Sequence, residues 1–316
     1  MLSLVIPSYN EELNICAVAK VITQLLDQHK ITYEIIFVDD GSVDQTFKMI
    51  ETLAKENPKI RGIKFSRNYG KEAAIIAGLK SSKGKCCAVM DGDLQHPPEH
   101  LITMYDLWKQ GYVIVEGVKT SRGKESWIYS KFSKLYYKII NNFIDMDLSG
   151  ASDYKLLDRK IVDILIKLPE KDTFFRGLSL YFGFPRTTVE FEVAERASGE
   201  TKWTLFGLFR YAVNSLSSFT AFPLYLITMV GSFLLLIFFI LGIQTLYNYL
   251  VRGAVEGFTT VILLLLLIGS TTLISMGIIG HYIAKIYEEV KGRPRYIVEK
   301  MLPNQDLSLE GEIENE

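Results

Sequence analysis

Cysteine is scarce in this chain. Its 316 residues hold three, Cys16, Cys86 and Cys87, with neither disulfide nor zinc-site spacing. Net charge is scarce too: 35 basic against 36 acidic residues leave −1, which gives no bulk attraction to nucleic acid. No G-x-G-x-x-G follows the first apolar run and no G-x-x-x-x-G-K-[ST] occurs anywhere, which argues against a dehydrogenase-type dinucleotide cradle and a P-loop. No signal peptide is expected at the start, because the apolar run 2–7 is too short for an h-region and lacks a basic flank. The most telling absence is local. No Asp, Glu, Lys or Arg lies between Arg210 and Arg252, and none between Glu256 and Lys285.

Those two gaps contain residues 223–247 and 258–283, each long enough to cross about 30 Å of hydrocarbon as a helix. A core helix of a soluble protein rarely runs so far without a charge, so two transmembrane helices are predicted. Their connection, 248–257, is short, whereas Lys285, Lys291, Arg293, Arg295 and Lys300 follow the second. The positive-inside rule then places the large N-terminal part and the tail in the cytoplasm, where the three thiols stay reduced. The expected organisation is a catalytic domain over 1–200, an interfacial region over 201–221, a membrane hairpin over 222–284 and a cytoplasmic tail over 285–316. The acidic residues beyond Pro303 read as disordered.

The chain is rich in apolar residues, at 48 % with a mean hydropathy of +0.16. In the N-terminal part they fall into alternating strand-like and helix-like runs. Strands are predicted at 2–7, 33–38, 60–65, 86–90 and 113–118, with helices to about 28 and over 44–56, 71–79 and 98–109. Such alternation predicts an α/β fold, a doubly wound and mainly parallel sheet whose ligands sit at the carboxyl ends of the strands. Acidic clusters occupy those ends: Asp39-Asp40-Gly41-Ser42 after the second run and Asp91-Gly92-Asp93 after the fourth.

Asp91 and Asp93, one glycine apart, can both reach into one crevice. Two oxygen anions there suit Mg²⁺ or Mn²⁺ carrying a substrate diphosphate. A lone Asp-x-Asp is more often a solvated turn; the surrounding clusters weigh against that here. His96 and His100 have helical spacing, but Pro97-Pro98 interrupts the helix and no third ligand is visible, so they are not expected to bind metal.

Four segments in order carry a family resemblance: Ile6-Pro7-Ser8-Tyr9-Asn10-Glu11-Glu12, Val38-Asp39-Asp40-Gly41-Ser42, Asn68-Tyr69-Gly70-Lys71-Glu72 and Asp91-Gly92-Asp93-Leu94-Gln95. Together they resemble the inverting family 2 glycosyltransferases of A-type fold. Gly150-Ala151-Ser152-Asp153-Tyr154-Lys155-Leu156-Leu157-Asp158-Arg159 and the two spans are similar to the polyprenyl-phosphate branch, which includes bactoprenol glucosyltransferases and dolichyl-phosphate mannose synthases. The likeness covers roughly residues 2–290. It departs at His96, where relatives often carry Asp.

The resemblance implies roles. Pro7, Tyr9, Glu11, Asp39, Asp40, Lys71 and Gln95 would contact the nucleotide sugar, and Asp91 and Asp93 the metal on its diphosphate. Asp153 would lie near the acceptor. A phosphate monoester, with a second pKa of about 6, needs little deprotonation, so Asp153 is expected to orient the site rather than act as an obligatory base. Lys119, Arg122, Arg196 and Lys202 are the candidate cations for the acceptor phosphate. Basic aromatic stretches at 127–143 and 202–219 are expected to lie at the membrane interface, the second more strongly than the first.

The expected activity is transfer of one sugar from a nucleotide diphosphate sugar, UDP-glucose first, to a polyprenyl phosphate such as undecaprenyl phosphate on the cytoplasmic leaflet of a bacterial plasma membrane. A processive polysaccharide synthase is disfavoured by having only two spans and no Q-x-x-R-W. A silent nucleotide-sugar binder is disfavoured by the intact Asp91, Asp93 and Asp153. Gly231, Gly242, Gly269, Gly277 and Gly280 in the spans would permit close helix packing, within a chain or in a homo-oligomer.

Overall fold

The computed structural model describes residues 1–93, 95–121, 152–170, 174–192, 222–252 and 257–303, which fall into two compact units. The first unit comprises Met1–Trp203 together with Pro294–Glu316, and the second Thr204–Arg293.

The first unit is built from β1 (Leu2–Ser8), α1 (Ile15–Gln28), β2 (Tyr33–Asp39), α2 (Thr46–Glu56), β3 (Ile60–Phe65), α3 (Lys71–Ser81), β4 (Cys86–Val89), α4 (Glu99–Lys109) and β5 (Ile114–Ser121). These agree closely with the runs read from the sequence. β6 (Lys155–Asp158), α5 (Arg159–Leu165), α6 (Phe175–Tyr181) and β7 (Arg186–Glu192) follow. Every residue of β1 and β2 is buried, as befits parallel strands covered on both faces. Helix α1 buries Ile15, Val18, Ala19, Ile22 and Leu26, a stripe at three- and four-residue spacing. Helix α3 lies so close to β1 that a Cβ on Gly78 would stand 2.2 Å from Val5 Cγ1.

The eight strands form one sheet in the order β7-β5-β6-β4-β1-β2-β3-β8. β1 pairs in parallel with β2 on one side and β4 on the other, so the chain reverses its direction of winding across the β1–β4 boundary. That is a topological switch point, where open α/β sheets hold ligands beyond the strand ends. The sheet is mixed rather than wholly parallel: β6 runs antiparallel between β4 and β5.

The last strand, β8 (Val298–Leu302), comes from the segment expected to be a tail. It pairs antiparallel with β3 and covers what would otherwise be an open edge. Tyr296 stacks on Phe65 at 4.8 Å, and Arg295 donates to the Leu168 carbonyl at 2.9 Å.

The second unit contains α7 (Phe222–Arg252) and α8 (Phe258–Val290). Both are long and apolar enough to cross a membrane, with spans of 21 residues at Leu224–Gln244 and 24 residues at Leu267–Val290. Thr228, Ser232, Thr271, Thr272 and Ser275 return their hydroxyls to carbonyls four residues earlier, so these polar groups are satisfied within their own helices. The stretches 127–143 and 202–219, and with them Arg122, Arg196 and Lys202, lie outside the described residues.

Candidate active site

Two loops meet at the exits of β1 and β2. The turn after β1 is laced to the turn after β2: Asn10 N–H donates to Ser42 Oγ at 2.9 Å, Val43 N–H to Asn10 Oδ1 at 3.1 Å, and Glu11 N–H to Thr46 Oγ1 at 2.8 Å. Gly41 has φ +68°, and a Cβ there would meet the Arg67 carbonyl carbon at 2.3 Å, so the turn is closed to larger residues. Pro7 belongs to β1 and Tyr9, 40 % exposed, follows it. The Glu11 carboxylate accepts from Asn14 Nδ2 at 2.6 Å.

Asp39 and Asp40 are both buried, and burial pushes both carboxyls above their ordinary pKa. Their surroundings separate them. Asp40 accepts backbone N–H groups on both oxygens, from Tyr69 at 2.6 Å and Gly70 at 2.9 Å, and so fixes the entry to α3. Asp39 accepts from Ser42 N–H and Oγ on Oδ1, while its Oδ2 has no hydrogen-bond partner among the described residues. Of the two, Asp39 is the one with an oxygen to offer a ligand.

On the other side of the switch point, strand pairing brings two distant carboxylates together. Val89 pairs with Lys155 in antiparallel register. Continuing that register two residues sets Asp91 opposite Asp153. Lys71, the first residue of α3, joins them: its Nζ lies 2.6 Å from Asp91 Oδ1 and 2.6 Å from Asp153 Oδ2. Arg176 grips Asp153 from the far side with two nearly parallel bonds, Nε to Oδ1 at 2.7 Å and a terminal nitrogen to Oδ2 at 2.9 Å. Burial opposes ionisation of Asp153, but Lys71 and Arg176 overcome it and hold the carboxyl well below the usual range. Asp91 is held low in the same way, burial again losing to Lys71. Burial pulls Lys71 down, and the charges of Asp153 and Asp91 raise it above its ordinary value. All three are charged at neutral pH.

Three groups that sequence reasoning missed support this cluster. Arg176 had no signal beyond one charge among Phe174, Phe175 and Gly177, and a lone arginine reads as a surface charge. Glu72 Oε2 accepts the Phe175 N–H at 3.0 Å, tying α3 to α6. Behind them, Lys155 is wholly buried, ion-paired with Glu116 at 3.0 Å, and donates to the Arg176 carbonyl at 3.0 Å. Lys119 lies on β5 opposite Phe191 of β7.

Burial, then the charge of Asp153, push the Glu72 carboxyl up to about 7. A folded pKa above the unfolded one means stability that is present below about 4.5 and lost as pH rises through about 7. Glu72→Gln should therefore flatten the stability profile across that window. In thermal unfolding at about pH 5 and about pH 8, the wild-type Tm falls by several degrees more than the variant's; equal falls would refute the assignment.

Asp93 Oδ1 accepts the Gln95 N–H at 3.1 Å, which folds the turn back on itself. His96 is buried, stacked on Tyr154 at 4.9 Å and edge-on to Phe191 at 5.3 Å. Among the described residues no three His, Cys, Asp or Glu side chains form a metal-sized group. Asp91 and Asp93 flank Gly92 just beyond β4, a pair of carboxylates one residue apart. That set fits a hard cation such as Mg²⁺, which takes one or two carboxylates and completes its shell with water and substrate phosphate.

The chain resembles known proteins in sequence. The model of Glycosyl transferase family 2 matches residues 3–164. The uncharacterized glycosyltransferase sll0501 of Synechocystis sp. (strain ATCC 27184 / PCC 6803 / Kazusa) is 36 % identical over 311 residues, covering 98 % of each chain. The SfII prophage-derived bactoprenol glucosyl transferase of Shigella flexneri is 33 % identical over 301 residues, covering 95 % of this chain and 97 % of its own. Among solved structures, glucosyl-3-phosphoglycerate synthase from Mycobacterium tuberculosis in complex with Mn²⁺ and UDP-glucose is 20 % identical, covers 69 % of this chain and 79 % of its own, and has a TM-score of 0.47.

Proposed function

The chain belongs to glycosyl transferase family 2, and from that premise we propose that it transfers a single glucosyl residue from UDP-glucose to a polyprenyl phosphate at the cytoplasmic face of a bacterial plasma membrane. The observation that carries this reading is the Lys71–Asp91–Asp153–Arg176 cluster at the switch point, two cations and two carboxylates set where the donor diphosphate and the acceptor phosphate would meet. The lipid acceptor is supported by the likeness to the Shigella flexneri bactoprenol glucosyl transferase and by the two apolar helices.

The nucleotide would lie over the β1 and β2 exits, on Pro7, Tyr9, Glu11 and the unpartnered Oδ2 of Asp39, with Gln95 near the diphosphate. Asp91 and Asp93 would hold Mg²⁺ or Mn²⁺, which when bound neutralises charge on the leaving diphosphate. An acceptor phosphate oxygen attacks the anomeric carbon as the bond to the diphosphate oxygen breaks. The configuration inverts, and the nucleoside diphosphate departs with the bonding electron pair. No proton need move, since the nucleophile is already an anion at neutral pH. Asp153, locked between two cations, is a poor base and a good anchor: it holds Lys71 and Arg176 in place. Lys119, Arg122, Arg196 and Lys202 would supply further positive charge to the acceptor.

Topology has its own support. β8 follows α8 in the chain yet pairs with β3, which supports a reading with the catalytic domain and the tail on one side of the membrane. Two crossings satisfy that condition and one does not. The basic residues after α8 favour the cytoplasmic side.

The test is transfer by the full-length protein in detergent to undecaprenyl phosphate, with labelled UDP-glucose, UDP-N-acetylglucosamine and GDP-mannose offered separately with Mg²⁺ or Mn²⁺. The expected product is a lipid carrying one glucose, lost when a chelator is added. A ladder of longer products would indicate a processive synthase. Nucleotide binding without transfer from any donor would indicate a binding protein.

A further inference from the structure

Lys71 occupies an unusual place. It opens α3, where the helix presents the positive end of its dipole and a cation is disfavoured. Gly70 enters with φ +97° and Asp40 fixes the Tyr69 and Gly70 N–H groups, so the start of α3, and Lys71 with it, is held where it is. The compensation lies in its two short contacts with Asp91 and Asp153. Asp91 is also one of the two carboxylates available to a divalent cation. An ammonium and a metal cannot both take the full charge of Asp91 Oδ1.

Resting on the metal-dependent reading above, we infer that Lys71 is a competing cation that links the two substrate sites: the donor's metal displaces it from Asp91, and it then serves the acceptor phosphate from Asp153. The charges support the exchange. Asp91 and Asp153 balance Lys71 and Arg176, so the four side chains are neutral together. With Asp91 committed to a metal, its negative charge would no longer offset Lys71, and the set formed by Lys71, Arg176 and Asp153 would be one unit more positive than before. Glu72, with its carboxyl raised, adds less than a full negative charge nearby. The pocket thus gains attraction for a phosphate dianion only after the metal and its diphosphate have arrived.

Removing the ammonium should strengthen one binding event and weaken another, which a purely structural lysine would not do. The experiment measures binding to the full-length protein in detergent. Mn²⁺ affinity is read from the EPR signal of free Mn²⁺, and affinity for farnesyl phosphate by calorimetry after saturation with Mn²⁺ and UDP. For Lys71→Gln we expect Mn²⁺ to bind roughly tenfold more tightly and farnesyl phosphate roughly tenfold more weakly, a coupling of ordinary size. Lys71→Arg keeps the charge and should stay near wild type in Mn²⁺ affinity, which separates lost charge from a damaged fold. Equal or weaker Mn²⁺ binding by Lys71→Gln, with normal binding by the wild type, would overturn the inference and leave metal dependence intact. If neither protein binds Mn²⁺ with or without UDP, the metal-dependent reading fails and the inference fails with it.

Discussion

Asp91→Asn should lower kcat/KM for sugar transfer by roughly 10³-fold, because a metal's Lewis-acid contribution is several kcal/mol and each tenfold is about 1.4 kcal/mol. The substitution keeps the shape and removes the charge. It takes away an anionic ligand of the proposed metal and a partner of Lys71, yet leaves Lys71 its second contact with Asp153. The fold should therefore lose little, on the order of 1 kcal/mol or less, as expected for a partly exposed ion pair. The signature is a protein with near-normal Tm that no longer responds to added Mn²⁺. Arginine or lysine at the same position would be less informative, since a new cation beside Lys71 would disrupt the cluster by repulsion. Full activity of Asp91→Asn, with metal dependence retained, would remove Asp91 from the metal site and return the Asp-Gly-Asp turn to the ordinary solvated kind.

What could be read from the sequence follows from which signals are local. Strands β1 to β5 are short runs rich in apolar and β-branched residues, and helices α1 to α4 lie between them, so parallel winding was visible without the structure. The two long apolar helices were visible as an absence of charge. β6 was not visible as a strand. It is four residues long, and its first residue is a lysine, a residue type rarely buried without a partner; the partner, Glu116, is distant in sequence. β8 was missed because Val-Glu-Lys-Met-Leu, after a basic stretch, has the composition of a tail; only the exposed edge of β3 makes it a strand.

The site divides along the same line. Asp91 and Asp153 each sit in a recognisable segment, but their meeting depends on the antiparallel register of β6, and the lysine between them on the start of α3. Arg176 has no local signature. Its position is set by contacts made to its neighbours' backbone: Glu72 to the Phe175 N–H and Lys155 to the Arg176 carbonyl.

Those backbone contacts give the largest expected effect on stability. Lys155 is 0 % exposed and Glu116 5 %, and they face each other at 3.0 Å. Burial draws the Lys155 pKa down, and Glu116 opposes it. Glu116→Gln removes the carboxylate that the enclosed ammonium faces at 3.0 Å, and breaking a buried pair in this way costs roughly 3–5 kcal/mol. For a unit of this size, thermal unfolding in detergent should show a Tm lower by roughly 10 °C. The double variant Glu116→Leu with Lys155→Met removes both charges and should recover most of that loss, since a well-packed apolar pair often equals or exceeds a buried ion pair. Recovery of stability should not restore catalysis. Without Lys155 the Arg176 carbonyl loses its donor, α6 loses one of its anchors, and the guanidinium is no longer held against Asp153. A Tm near wild type with kcat still depressed by about tenfold or more would show the ion pair to be kept for the placement of Arg176. A double variant with wild-type kcat would show instead that Arg176 holds its place through Asp153 and Glu72 alone.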